Sequence, residues 1–537
     1  DKTFGDHKIN FIASASASRD SRRYTDASAR DFSVDAFGYY AIQNSSSEAS
    51  RRSLQSDFSA SSLVGYLARA NYSYKGKYLA TASVRRDGSS KFAPDYRWGT
   101  FPSLSLAWNM MEEDFMQSLL GGRQVLSSAK LRAGFGMVGN QSIDNYAYTT
   151  LYNAGLADGK TVYTPQGRRG TPNITWEKQQ QYNFGLNLGL LNSRVQLSAD
   201  FFYITNHDLL LRRKLATTTG FTEAWDNVGE MKNQGVELAV NAIAVKTRDL
   251  TWNVSATFSR DRNEIVELFS ATKAIYSGGK TDNLIVGKPR NTVYIWQSGG
   301  IAQVGDFTWP GGVVEAGKEY FQGKPVVFGD DATNRWGGGA YSVQPGDLYP
   351  LDQNGDGKID EYDNIIIEAD PTFYGGFATD LSWKGITLNA VLSYSYGGKK
   401  LSARYEQLYT SVGNSPASPD LIGNMWSEAN TGAAYPRPVL SNLRDKSIDE
   451  EYNYRHYQAN QLDISVQDGS FLRLSTLTLA YTFPQQLTRR YLGDTGLRVY
   501  ATGTNLFCLT PYGGFDPEMG DYYPATRMYV LGINLNF

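Results

Sequence analysis

The chain has 537 residues, 52 of them basic and 54 acidic, for a formal net charge of −2. That balance offers no basic field for nucleic acid and no acidic tail. No run approaches the ~18–20 apolar residues that a membrane helix needs. A mean hydropathy of −0.41 still admits a transmembrane β-barrel, where only every second strand residue meets lipid.

Aromatic residues are abundant, and 53 glycines suit a protein with many turns. Cys508 is the only cysteine, so no internal disulfide can form and cysteine usage does not report the compartment. The chain opens Asp1-Lys-Thr-Phe-Gly-Asp-His7, with neither an initiating Met nor a signal peptide, and reads as a mature or cleaved piece.

Segments of period two recur along the whole length. They predict strands near 7–18, 61–74, 77–88, 97–110, 127–139, 176–190, 194–208, 228–245, 249–263, 370–383, 386–399, 469–483, 495–508 and 526–537. In one of them Phe184, Leu186, Leu188 and Leu190 oppose Asn183, Gly185, Asn187 and Gly189; in another Ile386, Leu388, Ala390, Leu392 and Tyr394 oppose Thr387, Asn389 and Ser393. Many of these segments reach the ~9–11 residues that cross a bilayer as a tilted strand, where soluble strands average nearer ~5–6.

Short or medium connections alternate with long ones. The short ones are Lys75-Gly76, Leu191-Asn192-Ser193, Lys246-Thr247-Arg248 and Lys384-Gly385, with medium ones at 111–126 and 484–494. The long ones are 19–60, 89–96, 140–175, 209–227, 264–369, 400–468 and 509–525. If the strands run up and down, short turns gather at one end and long loops at the other. Bacterial outer-membrane barrels have this asymmetry, and a soluble sandwich has no reason to keep it. The apolar piece Val293 to Ile301 lies inside the longest loop, so by parity it belongs to a folded extracellular excursion and not to the wall. In the last strand Tyr529, Leu531, Ile533, Leu535 and Phe537 face one way and Val530, Gly532, Asn534 and Asn536 the other. The fold class is therefore all-β: a transmembrane antiparallel β-barrel of outer-membrane type.

Nine phrases carry a family resemblance. They are Tyr72-Ser-Tyr-Lys-Gly-Lys-Tyr-Leu79, Arg85-Arg-Asp-Gly-Ser-Ser-Lys-Phe92, Arg97-Trp-Gly-Thr-Phe-Pro-Ser103, Leu131-Arg-Ala-Gly-Phe-Gly136 with Gly139-Asn-Gln141, and Asn233-Gln-Gly-Val-Glu-Leu238. Asp352-Gln-Asn-Gly-Asp-Gly-Lys-Ile-Asp360, Gly469-Ser-Phe-Leu-Arg-Leu474, Asn505-Leu-Phe507 and Gly514-Phe-Asp-Pro-Glu518 follow. In this order the sequence resembles the C-terminal barrel part of SusC/RagA-type TonB-dependent outer-membrane transporters of Bacteroidota, from His7 to Phe537. The resemblance implies a barrel of about 22 strands with a lumen plug, of which this chain supplies about 14. It also implies a SusD-like surface lipoprotein lid, a TonB system acting through the plug, and uptake of oligosaccharides or, in some members, peptides. No plug segment is recognisable here. A partial barrel would leave strand edges in lipid, so a plug-bearing N-terminal part is expected from elsewhere. A self-contained barrel of fourteen strands is the alternative.

Asp352-Gln-Asn354-Gly-Asp356-Gly357-Lys358-Ile-Asp360-Glu-Tyr-Asp363 fits a Ca²⁺ loop with Asp at position 12. Asp352, Asn354, Asp356, the Lys358 carbonyl and Asp363 would be ligands, with Asp360 through water, in a structural role that stiffens the loop. An Asn/Gly turn that merely suits a loop is the competing reading. The long loops also carry aromatic faces suited to sugars or to a partner protein: Trp296, Trp336, Tyr405, Tyr409, Trp426 and Tyr454. Packing of the loops upon themselves would use the same residues. His7, His207 and His456 share no metal-site spacing and no phosphate loop is present, so the chain reads as a non-enzyme. A passive porin or surface-binding barrel without a plug is the second reading. An outer-membrane hydrolase is the third, and it would need His207 or His456 beside a Ser and a carboxylate.

Overall fold

Alternation of apolar with polar or small residues drives the chain into long strands, because only an extended backbone separates the two sets onto opposite faces. The computed structural model describes residues 1–537 other than 33–39, 41, 43–44, 46–51, 117–124, 270–272, 278, 309–319, 322–323, 326–342, 344, 357–358, 360, 403–410, 413–417, 438, 441–461 and 521–522. Fifteen strands form one hydrogen-bonded order that follows chain order. They are β1 (Lys2–Phe4), β2 (His7–Ala29), β3 (Arg52–Tyr74), β4 (Tyr78–Ser89), β5 (Trp98–Asn109), β6 (Leu126–Asn140), β7 (Glu177–Leu190) and β8 (Val195–His207). The rest are β9 (Glu230–Lys246), β10 (Leu250–Glu267), β11 (Phe373–Trp383), β12 (Ile386–Tyr396), β13 (Phe471–Thr482), β14 (Gly496–Leu509) and β15 (Met528–Asn536). All fourteen predicted segments are present. The addition is β1, three residues that hairpin onto β2.

The chain divides into two compact units, one of Asp1–Leu188, Asp200–Gln234 and Val266–Ala271, the other of Gly189–Ala199, Gly235–Ile265 and Thr272–Phe537. In the second unit, pairing from β10 to β15 aligns residues into rows that cross six strands. One row reads Leu250, Trp383, Ile386, Tyr481, Val499, Ile533. The next reads Thr251, Ser382, Thr387, Ala480, Tyr500, Gly532, and the one after it Trp252, Leu381, Leu388, Leu479, Ala501, Leu531. Then come Asn253, Asp380, Asn389, Thr478, Thr502, Val530. Apolar and polar rows thus alternate, and the polar ones are tied by bonds such as Thr478 Oγ1 to Thr502 Oγ1 at 2.9 Å.

The apolar rows are not covered by protein. Leu531 is 85% exposed, Ile533 66%, Leu479 54% and Trp383 48%. A sandwich would bury these side chains between its sheets at the usual gain of ~1.5–3 kcal/mol per large residue. Here they stay at the surface, as a lipid-facing wall requires.

The first unit repeats the pattern across β2 to β6. Phe11, Ala70, Ala82, Leu104 and Phe135 form an apolar row, and Asn10, Asn71, Thr81, Ser105 and Gly134 the polar row beside it. Within the polar row Asn71 Nδ2 donates to Asn10 Oδ1 at 2.9 Å, and Thr81 Oγ1 to Asn71 Oδ1 at the same distance. Next to the short β3–β4 turn, His7, Tyr74, Tyr78, Trp108 and Leu131 make a largely aromatic row. Amphipathic rings at this level are the girdle expected where lipid meets water.

The short turns follow from their residues. Lys75 and Gly76 both have positive φ, 52° and 68°, and Lys77 N–H returns to the Tyr74 carbonyl at 3.0 Å. This is a type I′ hairpin, whose twist matches the flanking strands and whose second position favours glycine. Lys384 and Gly385 repeat it, at 46° and 88°. In each unit short connections alternate with long ones, as the sequence predicted; in the second unit 247–249, 384–385 and 483–495 alternate with 268–372, 397–470 and 510–527. The 483–495 connection carries one short helix, Gln485–Leu492.

Candidate functional site

The long connections hold the buried cores of the molecule. In the first unit Phe92, Phe101, Ile143, Ile174, Trp176 and Trp225 pack together, with Trp176 5.3 Å from Phe92 and 5.4 Å from Phe101 between ring centroids. Asp144 gathers the loops above this core: Trp225 Nε1 donates to it at 3.0 Å, Arg212 at 3.2 Å, and Arg168 also pairs with it. Arg85 and Arg86, near the end of β4, are engaged locally. Arg85 pairs with the buried Asp87 at 2.7 Å, and Arg86 lies 5.4 Å above Trp98.

In the second unit the 268–372 connection folds into its own ladders. Thr292–Trp296 pairs antiparallel with Asn364–Glu368, and Ser298–Ile301 pairs with Leu348–Pro350. Neither ladder belongs to the fifteen-strand sheet, so the Val293–Ile301 piece lies outside the wall, as predicted. Val293 and Ile295 bury against Ala369, whereas Tyr294 and Trp296 alternate to the other face.

On that face lies a cavity of about 560 Å³, within the ~300–1,000 Å³ range of ligand pockets. Tyr276, Lys280, Tyr294, Trp296, Glu361 and Asn364 line it. Tyr276 and Tyr294 stack with centroids 4.7 Å apart. The Tyr294 hydroxyl donates to the Glu361 carbonyl, which also accepts from Asn364 Nδ2 at 3.1 Å. Burial pushes the Tyr294 phenol well above its ordinary value, so it remains a neutral donor. Of these residues the sequence singled out Trp296 alone. The others come together from three separate stretches of the connection.

Trp426 is 8% exposed, stacked against Gly346, and donates its Nε1–H to Gln303 Oε1 at 3.0 Å, so it packs one loop onto another. Trp336, Tyr405, Tyr409 and Tyr454 lie outside the described residues.

The proposed Ca²⁺ loop enters the cavity wall at its far end, because Glu361 and Asn364 flank Asp363. Asp352 Oδ1 accepts from Gly355 N–H at 2.7 Å and Asn354 Oδ1 from Asp356 N–H at 2.8 Å. Asp363 is fully buried and accepts from Gln353 N–H at 2.9 Å. The donor set is all oxygen, which suits a hard cation. Among the described residues, however, no three His, Cys, Asp or Glu side chains converge as a cage, and Lys358 and Asp360 lie outside them.

His207 Nδ1 lies 3.1 Å from Glu230 Oε2, and its Nε2 3.1 Å from Thr205 Oγ1. The hydroxyl in this string is a buried Thr two residues away on the same strand, not the Ser that a hydrolase reading asked for. His7 sits in the aromatic row against Tyr72 and Tyr74, and His456 is outside the described residues.

The latch at the end of the chain joins two of the family phrases. Arg473 of Gly469–Leu474 donates to Asp516 Oδ2 at 2.7 Å and to Glu518 Oε2 at 2.7 Å, both from Gly514–Glu518. Arg473 and Asp516 are buried. Burial pushes the Asp516 carboxyl up, but the Arg473 hydrogen bond and the N–H groups of Glu518 and Met519 outweigh it and hold the group below the usual carboxylate range.

Two-faced strands, a girdle and alternating loops define an outer-membrane barrel wall. The family model for TonB-dependent receptor-like β-barrels matches residues 3–365. The chain belongs to that family, and its place is the outer membrane. TonB-dependent receptor P3 of Formosa agariphila is 29% identical over 574 residues, covering 100% of this chain and 51% of the relative. TonB-dependent receptor SusC of Bacteroides thetaiotaomicron is 31% identical over 499 residues, covering 88% of this chain and 44% of that protein. The RagAB peptide importer in its closed-closed state superposes with a TM-score of 0.75 at 25% identity, covering 100% of this chain and 54% of that one. The chain spans about half the length of the relatives it matches.

Proposed function

We propose that the chain is the C-terminal wall and loop assembly of a SusC/RagA-type importer, taking up oligosaccharides or peptides with a SusD-like lipoprotein lid. A plug-bearing part of the same transporter would fill the lumen and couple it to the TonB system. The observation that carries this reading is the set of alternating rows whose apolar members stay exposed, in a chain of this family. The wall does no covalent chemistry: loops and lid hold the substrate outside, the plug rearranges, and the polar rows line its route. The relatives named after TonB-dependent receptors, and the importer among the fold neighbours, support it.

Purification of the complex from native outer membranes, followed by intact-mass spectrometry, tests it. The expected result is co-purification of a lipoprotein and of a plug-bearing segment, with uptake abolished by collapse of the inner-membrane proton gradient. A complex with neither component and an open lumen would instead establish a passive barrel.

We also propose that Asp352, Asn354, Asp356, the Lys358 carbonyl, Asp360 and Asp363 hold a structural Ca²⁺. EDTA should then raise protease sensitivity within 352–363, and Ca²⁺ should restore protection. An unchanged digestion pattern would remove the cation.

A further inference from the structure

We propose that the outer face of β12 to β15 holds one anionic phospholipid of the periplasmic leaflet, with an acyl chain in a furrow along β14 and the phosphate on Arg490 and Lys384. The inference goes beyond the importer reading and needs only that the chain is part of an outer-membrane barrel wall.

On the exposed apolar face β14 presents Val499 and Ala501, which are smaller than their neighbours on either side. Tyr481 and Leu479 of β13 stand on one side, and Ile533 and Leu531 of β15 on the other, so the strand lies in a trough between two ridges. The furrow has a volume of about 960 Å³ and reaches Ile386 of β12. An open apolar trough that follows a strand matches an extended hydrocarbon chain. Lipid tails are as apolar as leucine, so the furrow adds only packing contacts over the surrounding bilayer. Selection among lipids therefore falls to the groups at its mouth.

The furrow ends at two short connections, 384–385 and 483–495, which the parity of the loops puts on the periplasmic side. Lys384 stands two residues before Ile386, and Arg490 lies in the connection that joins β13 to β14. Each cation rests on a ring: Lys384 Nζ is 5.8 Å from the Trp383 centroid, and the Arg490 guanidinium 5.6 Å from that of Tyr491. Among the described residues neither has a carboxylate within ion-pair reach, whereas Arg489 is paired with Asp494 at 2.7 Å. The helix that carries Arg490 also exposes Leu487 and Tyr491, four residues apart and so on one face, while Thr488 is buried. Apolar side chains left outward beside an arginine suit a helix lying in a membrane interface. Two unpaired cations at the level where acyl chains end meet the charge of a phosphodiester. A second copy of the chain is a poorer occupant, because a two-fold contact here would bring cations toward cations.

The test uses the full-length transporter purified with its partner, stripped of lipid in detergent and titrated with dioleoyl phosphatidylglycerol or dioleoyl phosphatidylethanolamine, with bound lipid counted by native mass spectrometry. One phosphatidylglycerol per chain is expected to bind more tightly than any phosphatidylethanolamine. Arg490→Gln and Lys384→Gln should each weaken it about fivefold and the double variant about 25-fold, while Arg490→Lys, which keeps the charge, should stay within about twofold. Ala501→Trp, which fills the furrow from a lipid-facing position, should weaken it as well. Lys288→Gln, which breaks an ion pair with Glu368 in the 268–372 connection, should bind as the native protein does. Equal affinity for the two lipids overturns the proposal, and so does native affinity in the double variant or in Ala501→Trp. An equal loss in Lys288→Gln would reduce the effect to net charge and overturn it too. Co-purified lipopolysaccharide whose retention depends on Arg490 would put the mouth in the other leaflet, and a dimer abolished by Ala501→Trp would give the furrow to a second copy; either result contradicts the assignment.

Discussion

Placing arginine along β13 separates a lipid-facing wall from a soluble sheet by magnitude as well as sign. The row through Trp383 and Tyr481, beside the short 384–385 turn, is taken as the lower edge of the apolar band. Leu479 is two residues above it, about 7 Å at ~3.4 Å per residue, and Leu477 four residues above it, about 14 Å. In an apolar band ~25 Å tall, Leu479 sits roughly halfway to the midplane and Leu477 close to it. Arginine costs ~2–4 kcal/mol at the midplane and falls toward ~0–1 at the interface. Leu477→Arg should therefore destabilise the folded barrel by about 2–4 kcal/mol, equal to about 30-fold to several hundred-fold in the folding constant. Leu479→Arg should cost about 1–2 kcal/mol. Thr478→Arg, between them on the opposite face, should lose only the bond to Thr502, about 1 kcal/mol. The assay is urea unfolding of the full-length protein in lipid vesicles, read by the mobility difference between folded and heated protein. Equal costs at 477, 478 and 479, or a greater cost at 478, would refute the reasoning.

Removing Arg473 strands the buried Asp516 charge, so Arg473→Met should cost about 3–5 kcal/mol and open the 510–527 loop to protease. Because the Asp516 carboxyl is held below its ordinary value, the latch's contribution is intact above the unfolded value of ~3.9 and fades as pH falls through the lower one. Hydrogen exchange at Glu518 and Met519 should stay protected from pH 7 to about 4 and rise below it; protection lost already near pH 6 would contradict this. A Cβ on Gly532 would stand 2.3 Å from the Tyr500 ring, so Gly532→Val should cost about 1–3 kcal/mol in the same unfolding assay. Purified protein should hydrolyse p-nitrophenyl acetate no faster than His207→Ala does, and a rate lost in that variant would revive the hydrolase reading.

The wall was legible in the sequence because a bilayer outside and water inside impose period two on every strand they share. The pattern faded where that cause stopped acting. β2 and β3 pair through 23 residues each, well beyond the predicted 7–18 and 61–74. Their outer halves leave the lipid and carry Arg19, Asp20, Arg22, Arg23 and Asp57 with no face to separate. β1 was missed because three residues cannot display a period. The site was much less legible. Tyr294 and Glu361 are 67 residues apart, and Arg473 and Asp516 are 43 apart, so their meeting depends on how loops fold back and not on local spacing. The phrases around Arg473 and Asp516 were visible individually. Their opposite charges were the one signal that could have joined them. Trp426 illustrates the converse: an aromatic in a long loop suits a partner surface, yet this one is consumed by packing over Gly346.

A spin-label scan along β12, from Ile386 to Tyr396 in a Cys508→Ser background, addresses the wall most directly. Labels replacing Ile386, Leu388, Ala390 and Leu392 should be relaxed by oxygen dissolved in the lipid, and those replacing Thr387, Asn389 and Val391 by a water-soluble nickel chelate. Uniform response along the strand, or oxygen maxima at 387, 389 and 391, would contradict a lipid-facing wall.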